Sequence, residues 1–432
     1  MNPADNRQQN KPQKIRVVTV EKLDQMVKEM VFGTGGQTFQ KEIRQMAEAS
    51  GIYPASIQRL YEEIGKGKYS GFTVPAMNLR GITYDVARAV FRAAMKNKVG
   101  AFIFEIARSE MEYTNQRPGE FAACVLAAAL AEGFQGPVFI QADHTQIRRK
   151  AFETEPEKEL EAIRSLIREA VEAGFYNIDI DASTLVHNEK QDLLEQQEDN
   201  GRITAEMTRF IRSIEPPGIT ISVGGEIGEI GTTNSTEGDL RAFMDRYLHY
   251  LGKDTKGISK ISVQTGTTHG GVVLPDGSIA RVQLDFDTLE KLSRLAREEY
   301  GMGGAVQHGA STLPDEMFHL FPKRGTLEVH LATGYQNIIF DSPHFPQDLL
   351  KKIQSAMDVK YASDKKTGET DAQFYYRNRK RAFGDFKREL WEMPAESKSK
   401  ILQELEDRFA FTFQKLNVVN TQELVNSLIK PV

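Results

Sequence analysis

From Phe72 onward the chain alternates short apolar runs with longer amphipathic segments, and this alternation constrains its fold more than any other feature. Such a pattern is typical of repeated βα units, which build a parallel sheet covered by helices. Eight runs qualify as strands, over residues 72–78, 100–106, 137–143, 177–181, 219–226, 260–264, 305–308 and 326–331. Because eight parallel strands close a barrel, the alternation predicts an α/β fold of the TIM (β/α)8 type.

The two ends of the chain follow a different pattern. Residues 21–65 carry apolar side chains at helical spacing, which predicts an N-terminal helical extension. The last part of the chain combines mixed charge with periodic apolar residues, which predicts extra C-terminal helices. We therefore expect three regions: a helical extension over 1–65, a catalytic barrel over 66–345, and helices over 346–432 that pack on the barrel or on a dimer partner.

Composition excludes several classes of function. The formal net charge of -5 provides no extended basic field, which disfavours a nucleic-acid partner. No apolar stretch approaches the roughly 18 residues that a membrane span needs, and the polar N-terminus does not resemble a secretory signal. Cys124 is the only cysteine, so no internal disulfide can form. These features predict a cytoplasmic protein without membrane contact.

The positions of the histidines point to a metal site. Four of the eight histidines fall at or just beyond the end of a predicted strand: His144, His269, His308 and His330. A hydrogen-bonded structural role would explain any one of them alone. In a barrel, however, the carboxyl ends of all strands surround one mouth, so residues distant in sequence meet there. Several neutral imidazoles at one mouth favour a site for zinc or a similar ion.

Two carboxylates accompany these histidines. Asp143 directly precedes His144, and because the strand ends there both side chains can reach the mouth, which would place a proton-transfer group beside the metal. A cap for the following segment is the alternative role for Asp143. Glu226 lies in a glycine-rich stretch that lacks the lysine and the spacing of a P-loop, which does not support a nucleotide site. Because glycines let the backbone bend around a carboxylate at the mouth, we interpret Glu226 as a fourth metal ligand or a metal-shuttling site.

Two glycine-containing turns also carry histidines, at residues 267–271 and 307–312. Small residues next to a ligand expose backbone N–H groups, which can bind a phosphate. Phosphate binding after the late strands is a recurrent use of this barrel. Taken together with the histidines, the turns predict a phosphorylated substrate.

These motifs resemble the class II fructose- and tagatose-bisphosphate aldolase family, in the same order along residues 60 to 340. Leu331-Ala332-Thr333 is closer to the Val-Ala-Thr of the tagatose branch than to the Ile-Asp-Thr of many fructose enzymes. The other matching segments are Val74-Pro75-Ala76-Met77-Asn78, Asp143-His144, Ile180-Asp181-Ala182-Ser183, Glu226-Ile227-Gly228, Gly266-Thr267-Thr268-His269-Gly270 and His308-Gly309-Ala310-Ser311.

The resemblance implies a site and a reaction. His144, His269 and His308 would hold a catalytic Zn²⁺, with Glu226 at an alternative or second metal position, and a monovalent cation could take part. Asp143 would be the acid/base on the C4 oxygen of a ketose 1,6-bisphosphate. Cleavage would give dihydroxyacetone phosphate and glyceraldehyde 3-phosphate. The substrate and its phosphates would be lined by Asn78, Ser109, Gly270, Gly309, Ser311 and Thr333.

The sequence departs from the family pattern at two places. After the Glu-Ile-Gly motif, Thr232-Thr233-Asn234-Ser235 stands where relatives carry an acidic loop, so the group that moves the enediolate proton is unassigned. Glu328-Val329-His330 replaces the usual Lys-Val-Asn, which removes a cation near the substrate. Two alternatives to a ketose-bisphosphate aldolase therefore stay open: a lyase for a different phosphorylated sugar, and a non-catalytic partner subunit. Relatives are commonly homodimers or larger, which we expect here too.

Overall fold

The computed structural model describes residues 19–228, 233–266, 274–275, 280 and 284–432. Strands β2 to β9 each pair in parallel with the next in the chain, and β9 pairs with β2, so that eight strands form a closed barrel. This confirms the predicted TIM (β/α)8 fold. The strands are β1 (Ile52–Ala55), β2 (Val74–Asn78), β3 (Ile103–Ala107), β4 (Gly136–Gln146), β5 (Asn177–Asp181), β6 (Ser222–Glu226), β7 (Lys260–Val263), β8 (Ala305–Gln307) and β9 (Glu328–Leu331).

Helices surround the barrel and extend it at both ends of the chain. In the described ranges the α-helices are α1 (Val20–Phe32), α2 (Gly36–Ala49), α3 (Gln58–Gly65), α4 (Thr83–Lys96), α5 (Arg108–Tyr113), α6 (Pro118–Glu132), α7 (Arg149–Thr154), α8 (Pro156–Ala173), α9 (Leu193–Gln196), α10 (Glu198–Ser213), α11 (Glu237–Leu251), α12 (Phe286–Tyr300), α13 (Leu320–Lys323), α14 (Thr333–Asp341), α15 (Gln347–Lys360), α16 (Asp371–Asn378), α17 (Ala382–Asp385), α18 (Lys387–Trp391), α19 (Ala395–Lys415) and α20 (Gln422–Leu428). Among them, none is both long and apolar enough to cross a bilayer.

Strand β1 is a difference from the sequence expectation, because it lies inside the segment predicted to be helical. It pairs with the first residues of β4, from Ile52 opposite Gly136 to Ala55 opposite Phe139. Strand β4 begins before its barrel neighbour β5, and β1 therefore covers an edge that would otherwise leave backbone groups unpaired. The side-chain amide of Asn177 in β5 donates to the carbonyl of Ala55, 3.2 Å away, and joins the two.

The terminal helices form an outer layer on the barrel helices. Helix α6 is buried from Phe121 through Ala129, which agrees with its lack of the polar face that a surface helix carries. The N-terminal helices α1 and α2 cover its outer side, while α4 and α8 flank it. On the opposite end of the chain, α19 packs on α4 and α14. The extra helices therefore bury apolar surface that a bare barrel would expose.

The segment around α17 is held against the barrel mouth. A side chain at Gly384 would place its first carbon 2.0 Å from the carbonyl oxygen of Tyr113, so the two backbones touch. Lys387 adds a donated hydrogen bond to the carbonyl of Asn115 (2.7 Å) and an ion pair with Glu120. These contacts fix the C-terminal segment of the chain beside its own barrel opening.

Candidate active site

A cavity of about 250 Å³ opens at the carboxyl ends of the barrel strands. Residues at the ends of β2, β3, β4, β8 and β9 line it, together with one residue of the C-terminal segment, Lys380. Asp143, His144, His308 and His330 all face this cavity. Residues separated by almost 190 positions in sequence therefore meet at one barrel mouth, as the strand ends predicted.

A local irregularity brings both Asp143 and His144 to the cavity. The pairing of β4 with β5 shifts register between Ala142 and Thr145, and His144 adopts a left-handed backbone conformation with φ of 38°. A bulge of this kind re-aims side chains that would alternate between the two faces of a regular strand. The strained backbone of His144 therefore lets two consecutive residues face the same cavity.

Three donor groups come together at this point. The Nε2 atom of His308 lies 3.3 Å from Oδ1 of Asp143, and the rings of His144 and His308 have centroids 4.3 Å apart. His308 and Asp143 are buried, while His144 is partly buried at the cavity wall. Two imidazoles and a carboxylate with their donor atoms this close fit a zinc-type ion, which binds nitrogen and oxygen ligands.

Two further carboxylates lie behind His144. Its Nδ1 atom is 2.9 Å from Oδ2 of Asp181 and 3.3 Å from Oε2 of Glu226. Asp181 is itself fixed by donated hydrogen bonds from Gln146 and Ser183. A carboxylate that holds one ring nitrogen is the usual partner of a metal-binding histidine, because it orients the ring and leaves the other nitrogen for the metal. Glu226 thus lies next to His144, where it can serve as a ligand or support the ring.

The predicted substrate-lining residues are at the cavity as far as the structure describes them. Asn78, Ser109, Gly309, Ser311 and Thr333 line it. The Asn78 amide donates to Glu110 over 2.6 Å, and Ser311 Oγ accepts a bond from the Ala332 amide over 2.7 Å. Two predicted residues, the ligand His269 and the phosphate-binding Gly270, lie outside the described residues.

The family model described as Fructose-bisphosphate aldolase class-II matches residues 58–384, more than half of the chain. The chain belongs to the class II fructose-bisphosphate aldolase family. Membership supports a lyase and agrees with the donor groups at the barrel mouth. A comparison with the sequences of curated proteins found no match.

Solved structures share the fold of this aldolase-family chain at low sequence identity. Fructose-bisphosphate aldolase from Campylobacter jejuni is 18% identical, with 86% of this chain and 97% of that chain covered and a TM-score of 0.50. The YdjI aldolase from Escherichia coli K12 is 15% identical over 85% and 98% of the two chains, with a TM-score of 0.50. Fructuronate-tagaturonate epimerase UxaE from Cohnella laeviribosi is 10% identical over 91% and 86%, with a TM-score of 0.54. At these identities the likeness concerns the fold alone.

Glu328, one of the two departures noted in the sequence, lies in a buried network of charged side chains. Glu328, which replaces the family's lysine, accepts a bond from the ammonium of Lys260 in β7, with 2.5 Å between Oε1 and Nζ. Lys260 also contacts Asp179 (3.0 Å) and Gln141 (2.7 Å), and Tyr61 donates to Glu328. Lys260 of β7 therefore places a cation beside Glu328, but this lysine does not line the cavity.

Burial and charge set the protonation of the site in the metal-free chain. Burial and the neighbouring carboxylate of Asp181 raise the pKa of Glu226 to about 7. Burial alone would also raise the pKa of Asp143, but the positive charges of His144 and His330 hold it well below its usual value. Burial and the positive charges of His330 and His144 lower the pKa of His308, which keeps its ring neutral. Despite burial, the charges of Asp143 and Glu226 raise the pKa of His144 well above its usual value, so metal binding there requires the loss of a proton from this ring.

Sequence reasoning missed the cations around the cavity. Arg80 and Arg108 lie just past the ends of β2 and β3, a position that could have marked them, and Arg148 follows β4. Lys380 stands almost 50 residues after the last strand and belongs to no motif, so no local signal pointed to it. Together they bring four cationic side chains to the cavity, and the three arginines are paired with carboxylates.

Proposed function

We propose that this chain is a metal-dependent aldolase that cleaves a ketose 1,6-bisphosphate, either fructose or tagatose, into dihydroxyacetone phosphate and glyceraldehyde 3-phosphate. The observation that carries the proposal is the meeting of Asp143, His144 and His308 at the mouth of a class II aldolase barrel. We assign the catalytic metal to these two imidazoles and to His269, with Glu226 as an alternative ligand. The zinc ion would polarise the substrate ketone and stabilise the charge left by bond cleavage.

In the proposed reaction, Asp143 accepts the proton of the C4 hydroxyl as the C3–C4 bond breaks. The electron pair of that bond moves to C3 and gives the enediolate of dihydroxyacetone phosphate, while C4 becomes the carbonyl carbon of the aldehyde. Asp143 is buried at the cavity wall, and its carboxylate can accept the proton when it is ionised. Asn78, Ser109, Gly309, Ser311 and Thr333 line the space in which the substrate and its phosphates would lie.

A substrate phosphate binds most favourably to a cation that is not already paired with a carboxylate. Arg80 is bound to Glu110 (2.8 Å) and Arg108 to Glu159 (2.5 Å), so both are committed to carboxylates. Lys380 is different, because no carboxylate of the described residues lies within ion-pair distance of its ammonium, which stands over the ring of Tyr113. Partial desolvation and the positive charge of Arg80 lower the pKa of Lys380. We therefore assign a substrate phosphate to Lys380.

Replacing Lys380 with methionine should raise KM for the bisphosphate about tenfold and leave kcat nearly unchanged. A charge-assisted hydrogen bond to an exposed phosphate contributes about 1.5 kcal/mol, which corresponds to about one order of magnitude. Steady-state kinetics of the metal-loaded protein measure the effect. Lys366→Met is the matched control, since Lys366 is an exposed lysine of the same C-terminal region outside the cavity. An unchanged KM in Lys380→Met would contradict the assignment.

The central test is a coupled assay with fructose and tagatose 1,6-bisphosphates before and after chelation. We expect release of dihydroxyacetone phosphate from one or both sugars, its loss after EDTA treatment, and its return on adding Zn²⁺. Cleavage that survives EDTA would contradict the metal mechanism. No cleavage of either sugar by the metal-loaded protein would contradict the bisphosphate substrate.

A lyase for another phosphorylated sugar is the second candidate, and His330 favours it. His330 stands at the cavity floor where the family pattern has an amide side chain, which changes the group that a substrate oxygen would meet. Cleavage of other phosphorylated ketoses in the same assay, without cleavage of the bisphosphates, would support it. Inactivity on the whole panel would favour a non-catalytic partner subunit. The expected homodimer and cytoplasmic location stay predictions.

A further inference from the structure

Three buried side chains meet at the floor of the cavity: Glu105 of β3, Asp143 of β4 and His330 of β9. We refer to them as the floor cluster. The Nδ1 atom of His330 lies 3.0 Å from Oε2 of Glu105 and 3.2 Å from Oδ1 of Asp143. Their residues are only 1%, 4% and 5% exposed. Ligands about 2.0–2.2 Å from one tetrahedral ion are separated by about 3.3–3.5 Å, which is close to these spacings.

The environment of His330 fixes which nitrogen faces the cluster. Its Nε2 atom is 2.6 Å from Oε1 of Glu328, a carboxylate that Lys260 holds in its ionised form. The Nε2 atom therefore donates to Glu328, and Nδ1 faces Glu105 and Asp143. A histidine oriented by a carboxylate on one nitrogen, with the other nitrogen among donor atoms, has the arrangement of a metal ligand.

A cation is needed among these atoms. Nδ1 and the two carboxylate oxygens within 3.2 Å of it are electron-rich atoms, which repel one another unless a proton or a metal ion lies between them. The Nδ1 atom of His330 is buried and makes no hydrogen bond of acceptable geometry with the described residues. The Oε1 atom of Glu105 is also buried without a hydrogen-bond partner there. These orphaned atoms are the independent sign of a missing ligand.

A neighbouring cluster shows what a satisfied arrangement looks like in the same barrel. Asp179, Glu328 and His330 also gather carboxylates around an imidazole, but the ammonium of Lys260 lies between the two carboxylates, at 3.0 and 2.5 Å. For the floor cluster, no lysine or arginine nitrogen in the described part of the chain lies within ion-pair distance of Glu105 or Asp143. The two clusters thus differ in having or lacking a cation from the protein.

We propose that Glu105, Asp143 and His330 bind a second divalent ion, such as Mn²⁺ or Zn²⁺, beside the proposed catalytic metal. Two carboxylates and one imidazole form a donor set that such ions accept. Asp143 lies between the two proposed sites, since its Oδ1 is also 3.3 Å from Nε2 of His308. The contacts of Asp143 with both imidazoles involve Oδ1, so Oδ2 is left for the proton transfer described above. The site is distinct from the second metal position at Glu226 that the family resemblance implies.

Metal stoichiometry tests this site independently of activity. The full-length protein, freed of metal and then equilibrated with Mn²⁺, should contain two ions per chain by elemental analysis. Its electron paramagnetic resonance spectrum should show coupled ions. His330→Asn and Glu105→Gln should each retain a single ion with an isolated-ion spectrum, because each loses one ligand of the floor cluster while His144 and His308 are untouched.

Asp179→Asn is the matched control, since it removes a buried carboxylate whose cation is Lys260 and should leave two ions bound. If wild type and His330→Asn both hold one ion, the second site is wrong while the proposed function stands. If wild type binds none, the catalytic metal site is wrong as well. Loss of an ion from Asp179→Asn with none lost from His330→Asn would also overturn the assignment. Glu105→Gln keeps the size and shape of the side chain, and it decides the question if His330→Asn does not fold.

Discussion

Replacing His308 with alanine should lower kcat/KM of the metal-loaded protein by about 1,000-fold or more, with the barrel still folded. His308 directly follows β8, within 3.3 Å of Asp143 and beside the ring of His144, so its loss removes one of the proposed ligands. Stabilisation by a bound metal contributes several kcal/mol to the transition state, and about 4 kcal/mol corresponds to three orders of magnitude. The measurements are turnover with the bisphosphate and zinc content by elemental analysis.

His319→Ala is the matched control for this experiment. His319 is an exposed histidine of the connection that follows β8, and its Nδ1 lies 2.7 Å from the carbonyl of Glu316. This variant should keep full metal content and activity. Circular dichroism of both variants should match wild type, because both residues lie after β8 and not within a barrel strand. Normal turnover and zinc content in His308→Ala would show that the ligand assignment is wrong.

Replacing Lys260 with methionine should lower the free energy of unfolding by about 3–5 kcal/mol. Lys260 is 1% exposed and contacts Asp179, Glu328 and Gln141, so the substitution leaves two buried carboxylates without their cation. Breaking a buried ion pair from one side costs much more than the pair contributes, because the remaining charge stays desolvated. Urea unfolding followed by circular dichroism measures the change.

Two comparisons separate this effect from the loss of a lysine in general. Lys256→Met removes a half-exposed lysine paired with Glu62 at 2.7 Å and should change the free energy of unfolding by less than about 1 kcal/mol. Adding Glu328→Gln to Lys260→Met should recover part of the lost stability, since one of the uncompensated charges is removed. A Lys260→Met protein within about 1 kcal/mol of wild type would contradict the role given to this ion pair.

The sequence could predict the barrel because its signals are local. Each strand is a short apolar run with an amphipathic helix after it, and eight such units have one closed arrangement. Strand β1 could not be predicted in this way. Its four residues become a strand only because β4 begins before β5 and offers them an unpaired edge. That edge is created by the register of other strands, which a window along the sequence does not contain.

The same division applies to the candidate site. Asp143, His144, His308 and His330 could be placed at one mouth because each closes a recognisable strand, and the ends of parallel strands lie on one rim. The sequence indicated only that the end of a strand can turn both Asp143 and His144 toward the cavity. The bulge that does so belongs to the pairing of β4 with β5. His269, although predicted from the same kind of signal, lies outside the described residues.

The sequence by itself determined the fold class and which histidines reach the barrel mouth, because strand pattern and strand ends are properties of consecutive residues. The tertiary structure alone decided how the charges pair. Lys260 meets Glu328, His330 meets Glu105, and Lys380 reaches the cavity from the C-terminal segment. The first two contacts join residues 68 and 225 positions apart, and their energies depend on distance and burial, which no stretch of sequence specifies.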